Sequence, residues 1–137
     1  MRVHKLLALT AAVVLLGSCK KSELKSLKLN GTYSGQFSTR NNPLTNSIVE
    51  SLHSVTVKFS GSNYQSTANP DYMPAGGQGS FLTKNDEITF RDTTVHTANF
   101  DANLVLNGTY NYSTKGDSLL IVKQINYVFY TYKLKRQ

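Results

Sequence analysis

Few side-chain types carry chemistry, and in this chain the reactive ones are sparse. Cys19 is the only Cys among 137 residues, so it has no partner for an intramolecular disulfide and no thiol neighbours with which to hold a metal. His53 and His96 are candidate bases, and Ser and Thr hydroxyls are the remaining candidate nucleophiles. No Gly-x-Ser-x-Gly occurs, and neither His lies in a His-x-x-x-His or His-Glu-x-x-His pattern. His53 shares parity with Val55, Val57 and Phe59, which places it on an inward strand face, where a hydrogen-bonded structural His is the simpler reading. His96 sits in a polar loop, and no spacing brings Asp92 or Asp101 to it. Asn99, Asp101 and Asn103 put oxygen ligands at alternate positions, as the start of a calcium loop does. The Gly and Glu such a loop needs further on are replaced by Leu104 and Tyr110. Gly76-Gly77-Gln78-Gly79 lacks the Gly-Lys-Ser/Thr ending of a phosphate loop and reads as a turn. These residues imply no catalytic centre, no metal and no cofactor.

The aromatic residues are the stronger signal. Eight Tyr, six Phe and no Trp occur, and Tyr33, Phe59, Tyr110, Tyr112, Tyr130 and Tyr132 fall on presumed inward faces. Two readings stand: a packed core, or the lining of a small-ligand site that is apolar yet carries hydroxyls. Either way a buried Tyr hydroxyl needs a partner.

What positions these residues begins after an address. Met1 to Lys5 carries Arg2 and Lys5 with no acid, and Leu6 to Leu16 is apolar except for Thr10. At about 1.5 Å per residue that run spans roughly 16 Å, about half of a bilayer's hydrocarbon core, so it reads as a secretory signal and not as a membrane span. Leu16-Gly17-Ser18-Cys19 follows, and it resembles the lipobox of bacterial lipoproteins. The resemblance implies cleavage between Ser18 and Cys19, diacylation of the Cys19 thiol and acylation of the new amino terminus; the alternative is an ordinary cleaved signal with an incidental Cys. Two or more acyl chains give stable anchoring. Such lipoproteins of one bacterial group carry an acidic surface-export signal after the Cys; Lys20-Lys21-Ser22-Glu23 does not match it, which leaves the cell envelope, on the periplasm-facing side of a membrane, the outer membrane by expectation.

The organisation is thus a signal over 1–18, a lipidated basic tether over 19–28 and one domain over 29–137. Without residues 1–18 the chain has 119 residues, enough for one modest core. The formal charge of +7 is concentrated near the anchor: Lys20, Lys21, Lys25 and Lys28 lie in the tether, and from Leu29 onward nine Lys or Arg face seven acids. A basic segment beside a lipid anchor suits anionic headgroups, and a nearly neutral domain argues against nucleic acid as a partner.

From Leu29 the hydrophobic period is two. Leu29, Gly31, Tyr33, Gly35 and Phe37 share a face, with glycines where a curved sheet bends or closes up. Ser38 to Glu50 breaks the pattern; Asn42-Pro43 with Leu44, Ile48 and Leu52 reads either as a short helix capping the sheet or as a loop. Further strands follow: His53 to Ser60, a return at Tyr64 after Gly61-Ser62, Gly79 to Thr83, Glu87 to Arg91, Leu104 to Tyr112, Ser118 to Gln124 and Val128 to Leu134, with long loops over Thr67 to Gln78 and Asp92 to Asn103. Leu-Asn-Gly-Thr-Tyr occurs at 29–33 and again at 106–110. Asp92-Thr93-Thr94 and Asp117-Ser118-Leu119 resemble short O-glycan acceptor sites of some envelope bacteria.

Eight strands joined mainly by hairpins leave two bare edges unless the first pairs with the last, so an all-β, eight-stranded antiparallel up-and-down barrel is expected, with an open sandwich as the alternative. Leu29-Asn30-Gly31-Thr32-Tyr33 resembles the Gly-x-Trp opening of the calycins, the lipocalins and avidins, with Tyr33 in place of Trp. That resemblance implies a lipocalin-like barrel and a basic side chain from the last strand, Lys133, Lys135 or Arg136, across Tyr33. With no Trp, the biotin site of avidins does not carry over. Two functions follow as expectations: a barrel binding a small apolar or amphipathic ligand, or a filled barrel that presents its loops to an envelope protein as an inhibitor or assembly accessory.

Overall fold

The computed structural model describes residues 29–41 and 51–137, so the signal, Cys19, the basic tether and the Asn42-Pro43 helix expectation lie outside the described residues. Eight strands, β1 (Gly31–Asn41), β2 (Ser51–Ser60), β3 (Asn63–Ser66), β4 (Gly77–Lys84), β5 (Glu87–Asp92), β6 (Gly108–Lys115), β7 (Ser118–Ile125) and β8 (Val128–Arg136), run antiparallel in sequence order and close into a barrel. β8 returns to pair with β1, from Tyr33 opposite Arg136 to Asn41 opposite Val128, which removes both sheet edges. This is the eight-stranded up-and-down architecture that the hairpin spacing predicts.

Closure is permitted by a missing side chain. Gly35 lies between Val55 of β2 and Leu134 of β8, and a Cβ there would sit 2.0 Å from the Lys133 carbonyl oxygen. Only glycine lets β8 come that close.

The alternating pattern fills the interior. Tyr33, Phe37, Val55, Val57, Phe59, Tyr64, Phe81, Ile88, Phe90, Tyr110, Tyr112, Leu119, Ile121, Tyr130, Tyr132 and Leu134 form one buried cluster.

Two segments depart from the sequence reading. β1 does not stop at Phe37: Ser38 to Asn41 continue it, paired with β8 and, to Thr39, with β2. Their polar side chains give no hydrophobic signal, so the neighbours' ladders decide the conformation. Leu52, placed by spacing on a helix face, is an exposed residue of β2. In the other direction, β6 begins at Gly108 and not at Leu104; Ala102–Leu104 form a 3-10 turn, followed by buried Val105 and Leu106. The carbonyls of 104, 105 and 106 are taken by Ala75 N (2.9 Å), the Tyr110 hydroxyl (2.9 Å) and the Tyr64 hydroxyl (2.6 Å). The segment is a plug: its apolar side chains turn into the core while side chains and a loop, not a strand, satisfy its backbone.

The two barrel ends differ. At one, Gly61-Ser62, Asn85-Asp86 and Gly116-Asp117 make two-residue turns, and both Leu29 and Gln137 lie there, Gln137 N donating to the Thr32 carbonyl at 2.9 Å. At the other lie the loops over 67–76 and 93–107 and the Asn126-Tyr127 turn. We call these the tether end and the loop end.

Candidate functional site

All six aromatic residues singled out in the sequence are buried in the barrel. Four of them, Tyr33, Phe59, Tyr110 and Tyr132, belong to one network of ring contacts. Tyr33 meets Phe59 at 5.6 Å between ring centroids, Phe59 meets Phe81 at 5.0 Å and Phe90 at 6.4 Å, Phe90 meets Tyr110 at 5.6 Å, Tyr110 meets Tyr132 at 6.4 Å, and Tyr132 meets Phe37 at 4.7 Å. The chain of rings starts on β1 at Tyr33 and returns to β1 at Phe37 by way of β2, β5, β6 and β8, and its Phe59–Phe90 contact, between strands that are not neighbours, reaches across the interior. Edge-on and tilted contacts at these separations are those favoured by aromatic quadrupoles. Burial first of all pushes the hydroxyls of Tyr64, Tyr110, Tyr130 and Tyr132 above the usual phenol range, so they are neutral donors at physiological pH.

Not every polar atom in this core is satisfied. Among the described residues the Tyr132 hydroxyl, Nε2 of His53 and the Ser66 hydroxyl are buried without a hydrogen-bond partner. Phe37 stands opposite both Tyr132 and His53, so two of these orphans flank one ring. His53 lies on the inward face of β2 as parity predicts; its Nδ1 is 3.5 Å from Asp71 Oδ2 on the loop end.

The basic side chain expected across Tyr33 is placed differently. Arg136 is the register partner of Tyr33, but its guanidinium lies against Gly31, and Lys133 and Lys135 are exposed. The cation that does sit over core rings comes from β7: Lys123 Nζ lies 4.6 Å from the centroid of Tyr110 and 5.8 Å from that of Tyr130, and donates to the Asn107 carbonyl at 3.1 Å. Burial lowers its pKa from the ordinary lysine value, partly opposed by the charge of Asp101.

The loop end carries the arrangement that sequence reasoning missed. Asp92, the last residue of β5, has a side chain that is 7% exposed, and its carboxylate gathers donors from β3, β4 and the 93–107 loop. His96 Nε2 lies 2.6 Å from Oδ2; because a carboxylate only accepts, that nitrogen carries the proton. Oδ1 accepts from the Thr94 hydroxyl at 2.9 Å, Gln78 N at 3.2 Å and Thr94 N at 3.3 Å, with the Tyr64 hydroxyl 3.4 Å away. Burial would raise the Asp92 carboxyl, but the bonds from His96 and Thr94 together with the His96 charge outweigh it and hold the group below its usual value. The His96 ring stacks on Phe100 at 4.2 Å. Gly77 makes the approach feasible, since a Cβ there would lie 2.8 Å from Asp92 Oδ1. The one signal that could have found the pair is the Asp-x-x-x-His spacing, which in a loop is not diagnostic. The pair works as a clasp that holds the 93–107 loop to the start of β4 through Gln78 and Thr94.

The other oxygen-rich motif is structural too. Asp101 caps the 3-10 turn, its side chain accepting from Asn103 N at 2.9 Å. Among the described residues no group of three or more His, Cys, Asp or Glu is placed to hold a metal. Of the two glycan-like motifs, Thr93 uses its hydroxyl on the Gln78 carbonyl at 3.1 Å, and Ser118 is exposed at the start of β7.

The loop end also displays apolar side chains. Tyr72, Val95, Tyr127 and Leu52 are all there and exposed, whereas on the wall only Leu82 and Leu120 are large, apolar and exposed among the described residues. Tyr72 is held in the left-handed region (φ 54°) at the tip of a stapled loop: Asn69 Oδ1 accepts from Asp71 N and Met73 N, both at 3.0 Å, and its amide donates to the Met73 carbonyl. An exposed aromatic in strained backbone is costly unless the surroundings impose it, and such residues gather where proteins make contacts. Comparison with known proteins finds no matching family, curated protein or solved structure.

Proposed function

We propose that this chain is a bacterial envelope lipoprotein, anchored through Cys19, whose barrel is a filled scaffold that holds its loop end out to an envelope protein. The observation that carries this reading is the network of ring contacts that reaches across the interior at Phe59–Phe90 and engages Tyr33, Phe59, Tyr110 and Tyr132 with other core rings. The layout of the ends supports it: the tether leaves one end, and the exposed Tyr72, Val95, Tyr127 and Leu52 stand at the other. Tyr side chains of this kind, amphipathic and of low rotamer entropy, are enriched at protein interfaces.

The competing reading is a small apolar or amphipathic ligand inside the barrel, lined by Tyr33, Phe59, Tyr110, Tyr112, Tyr130 and Tyr132. The orphaned Tyr132 hydroxyl and His53 Nε2 favour it, since a bound polar group would satisfy them.

Native mass spectrometry of the mature chain, extracted gently from cells, separates the two. The filled scaffold predicts a bare chain. It also predicts that a photo-crosslinking residue at Tyr72 or Val95 captures a discrete envelope protein while one at Leu82 on the wall does not. A co-purifying small molecule released by Tyr110→Ala or Tyr130→Ala would replace this reading by the ligand one.

A further inference from the structure

The charged side chains are not spread evenly around the barrel. The outward faces of β6, β7, β8, β1 and β2 are contiguous, and near the tether end they carry Lys115, Lys133, Lys135 and Lys58, with Arg136 exposed at the rim beside Gly31. In register, Lys135 stands between Ser34 and Ser118, and Ser118 is opposite Lys115; Lys133 stands between Gln36 and Leu120. Among the described residues Asp117, in the β6–β7 turn, is the one acid from β6 through β8 and in β1 and β2, and none of these five cations forms an ion pair there. The opposite wall is balanced instead, with Lys84 and Arg91 against Asp86 and Glu87. The basic wall is also concave: Ser34, Gln36, Lys115, Leu120, Lys133 and Lys135 line a groove of about 540 Å³, with Leu120 as its exposed apolar centre.

The chain arrives at this face. Gly31 lies against the Arg136 guanidinium, and the residues leading into it include Lys20, Lys21, Lys25 and Lys28. We propose that the β6–β2 wall docks on a phosphate-bearing lipid surface, so that the barrel lies with this side on anionic headgroups and its loop end turned outward. The proposal rests on the Cys19 anchor reading, because the tether is what keeps the wall near a bilayer. Unpaired cations within a Debye length of an anionic surface attract it, phosphates fit a lysine-lined groove, and Leu120 supplies a short apolar contact at the headgroup boundary.

The test uses the mature chain with Cys19→Ser, so that no acyl chain holds it, and vesicles of phosphatidylcholine with or without phosphatidylglycerol. Binding is expected only with phosphatidylglycerol and is lost in high salt. Near an anionic surface each wall lysine contributes about a fivefold factor, so Lys115→Gln/Lys133→Gln/Lys135→Gln together should weaken partition roughly a hundredfold. All three are exposed, and unchanged thermal unfolding checks the fold. A variant neutralising Lys20, Lys21, Lys25 and Lys28 is expected to weaken binding yet leave it sensitive to the wall substitutions. Binding that ignores the wall substitutions, no binding to anionic vesicles, or equal binding to an anionic polysaccharide with none to vesicles would each overturn the proposal. Incorporation of labelled palmitate into the wild-type chain in cells reads the anchor separately, so failure there leaves the vesicle result intact.

Discussion

Asp92 and Tyr132 are opposite cases of a buried polar group. Asp92 has a donor for each oxygen, and Asp92→Asn would put an amide against His96 and Thr94; we expect a loss of about 1 to 3 kcal/mol in denaturant unfolding. The pH dependence follows from the depressed Asp92 pKa. The unfolded chain takes up this proton first, so the stabilisation is complete above the ordinary carboxylate value and disappears as pH falls through the lower folded value. Stability should therefore fall more steeply in the wild type than in Asp92→Asn as pH is lowered from 5 toward 2, and parallel curves would refute the clasp. Tyr132 has a hydroxyl with no partner, whereas the Tyr110 hydroxyl donates to the Val105 carbonyl. In a filled barrel Tyr132→Phe should be neutral or slightly stabilising, while Tyr110→Phe should cost about 1 kcal/mol. A clear loss of stability in Tyr132→Phe would point to a bound molecule on that hydroxyl. The candidate site was legible at this scale only in part. Parity placed the six aromatic residues and His53 correctly because a strand's period is two, but the Asp92–His96 pair is made by loop geometry, for which side-chain order holds no comparable rule.

Elements show the same division. β2 and β8 were readable because one face of each is apolar, and β7 because Leu119, Leu120, Ile121 and Val122 make a short apolar run between turns. Ser38 to Asn41 were not, since pairing with β8 and β2 holds them in the sheet whatever their hydropathy. The plug over Leu104 to Leu106 mimicked a strand: alternating apolar residues look alike whether a neighbouring strand or a pair of Tyr hydroxyls takes their carbonyls. Gly35 is the element-scale feature most open to test. With the Lys133 carbonyl oxygen 2.0 Å from where a Cβ would sit, Gly35→Ala must push β8 away from β1, and we expect a loss on the order of 3 kcal/mol or more, seen as a lower thermal midpoint. A midpoint unchanged within a degree would mean the two strands are not packed as described.

At the scale of the whole molecule the turns set a polarity: three two-residue hairpins with Leu29 and Gln137 on one side, the long loops and the Asn126-Tyr127 turn on the other. The anchor reading gives this polarity a direction, and Cys19→Ala is expected to move the protein from the membrane fraction to the soluble one in sedimentation. Sedimentation unchanged by that substitution would mean that something other than acylation holds it.

The pairing of β1 with β8 also constrains how the barrel comes into being. Tyr33 and Arg136, close to the two limits of the described chain, are neighbours in the sheet, so closure is among the most non-local contacts this chain can make. Loop-closure entropy makes such contacts late in folding, and a chain made from its amino terminus delivers β8 last. Until then β1 and β7 are bare edges. An emerging chain is thus exposed to strand exchange with its neighbours until β8 is complete, and the Val128 to Arg136 segment acts as the final staple that ends this vulnerability.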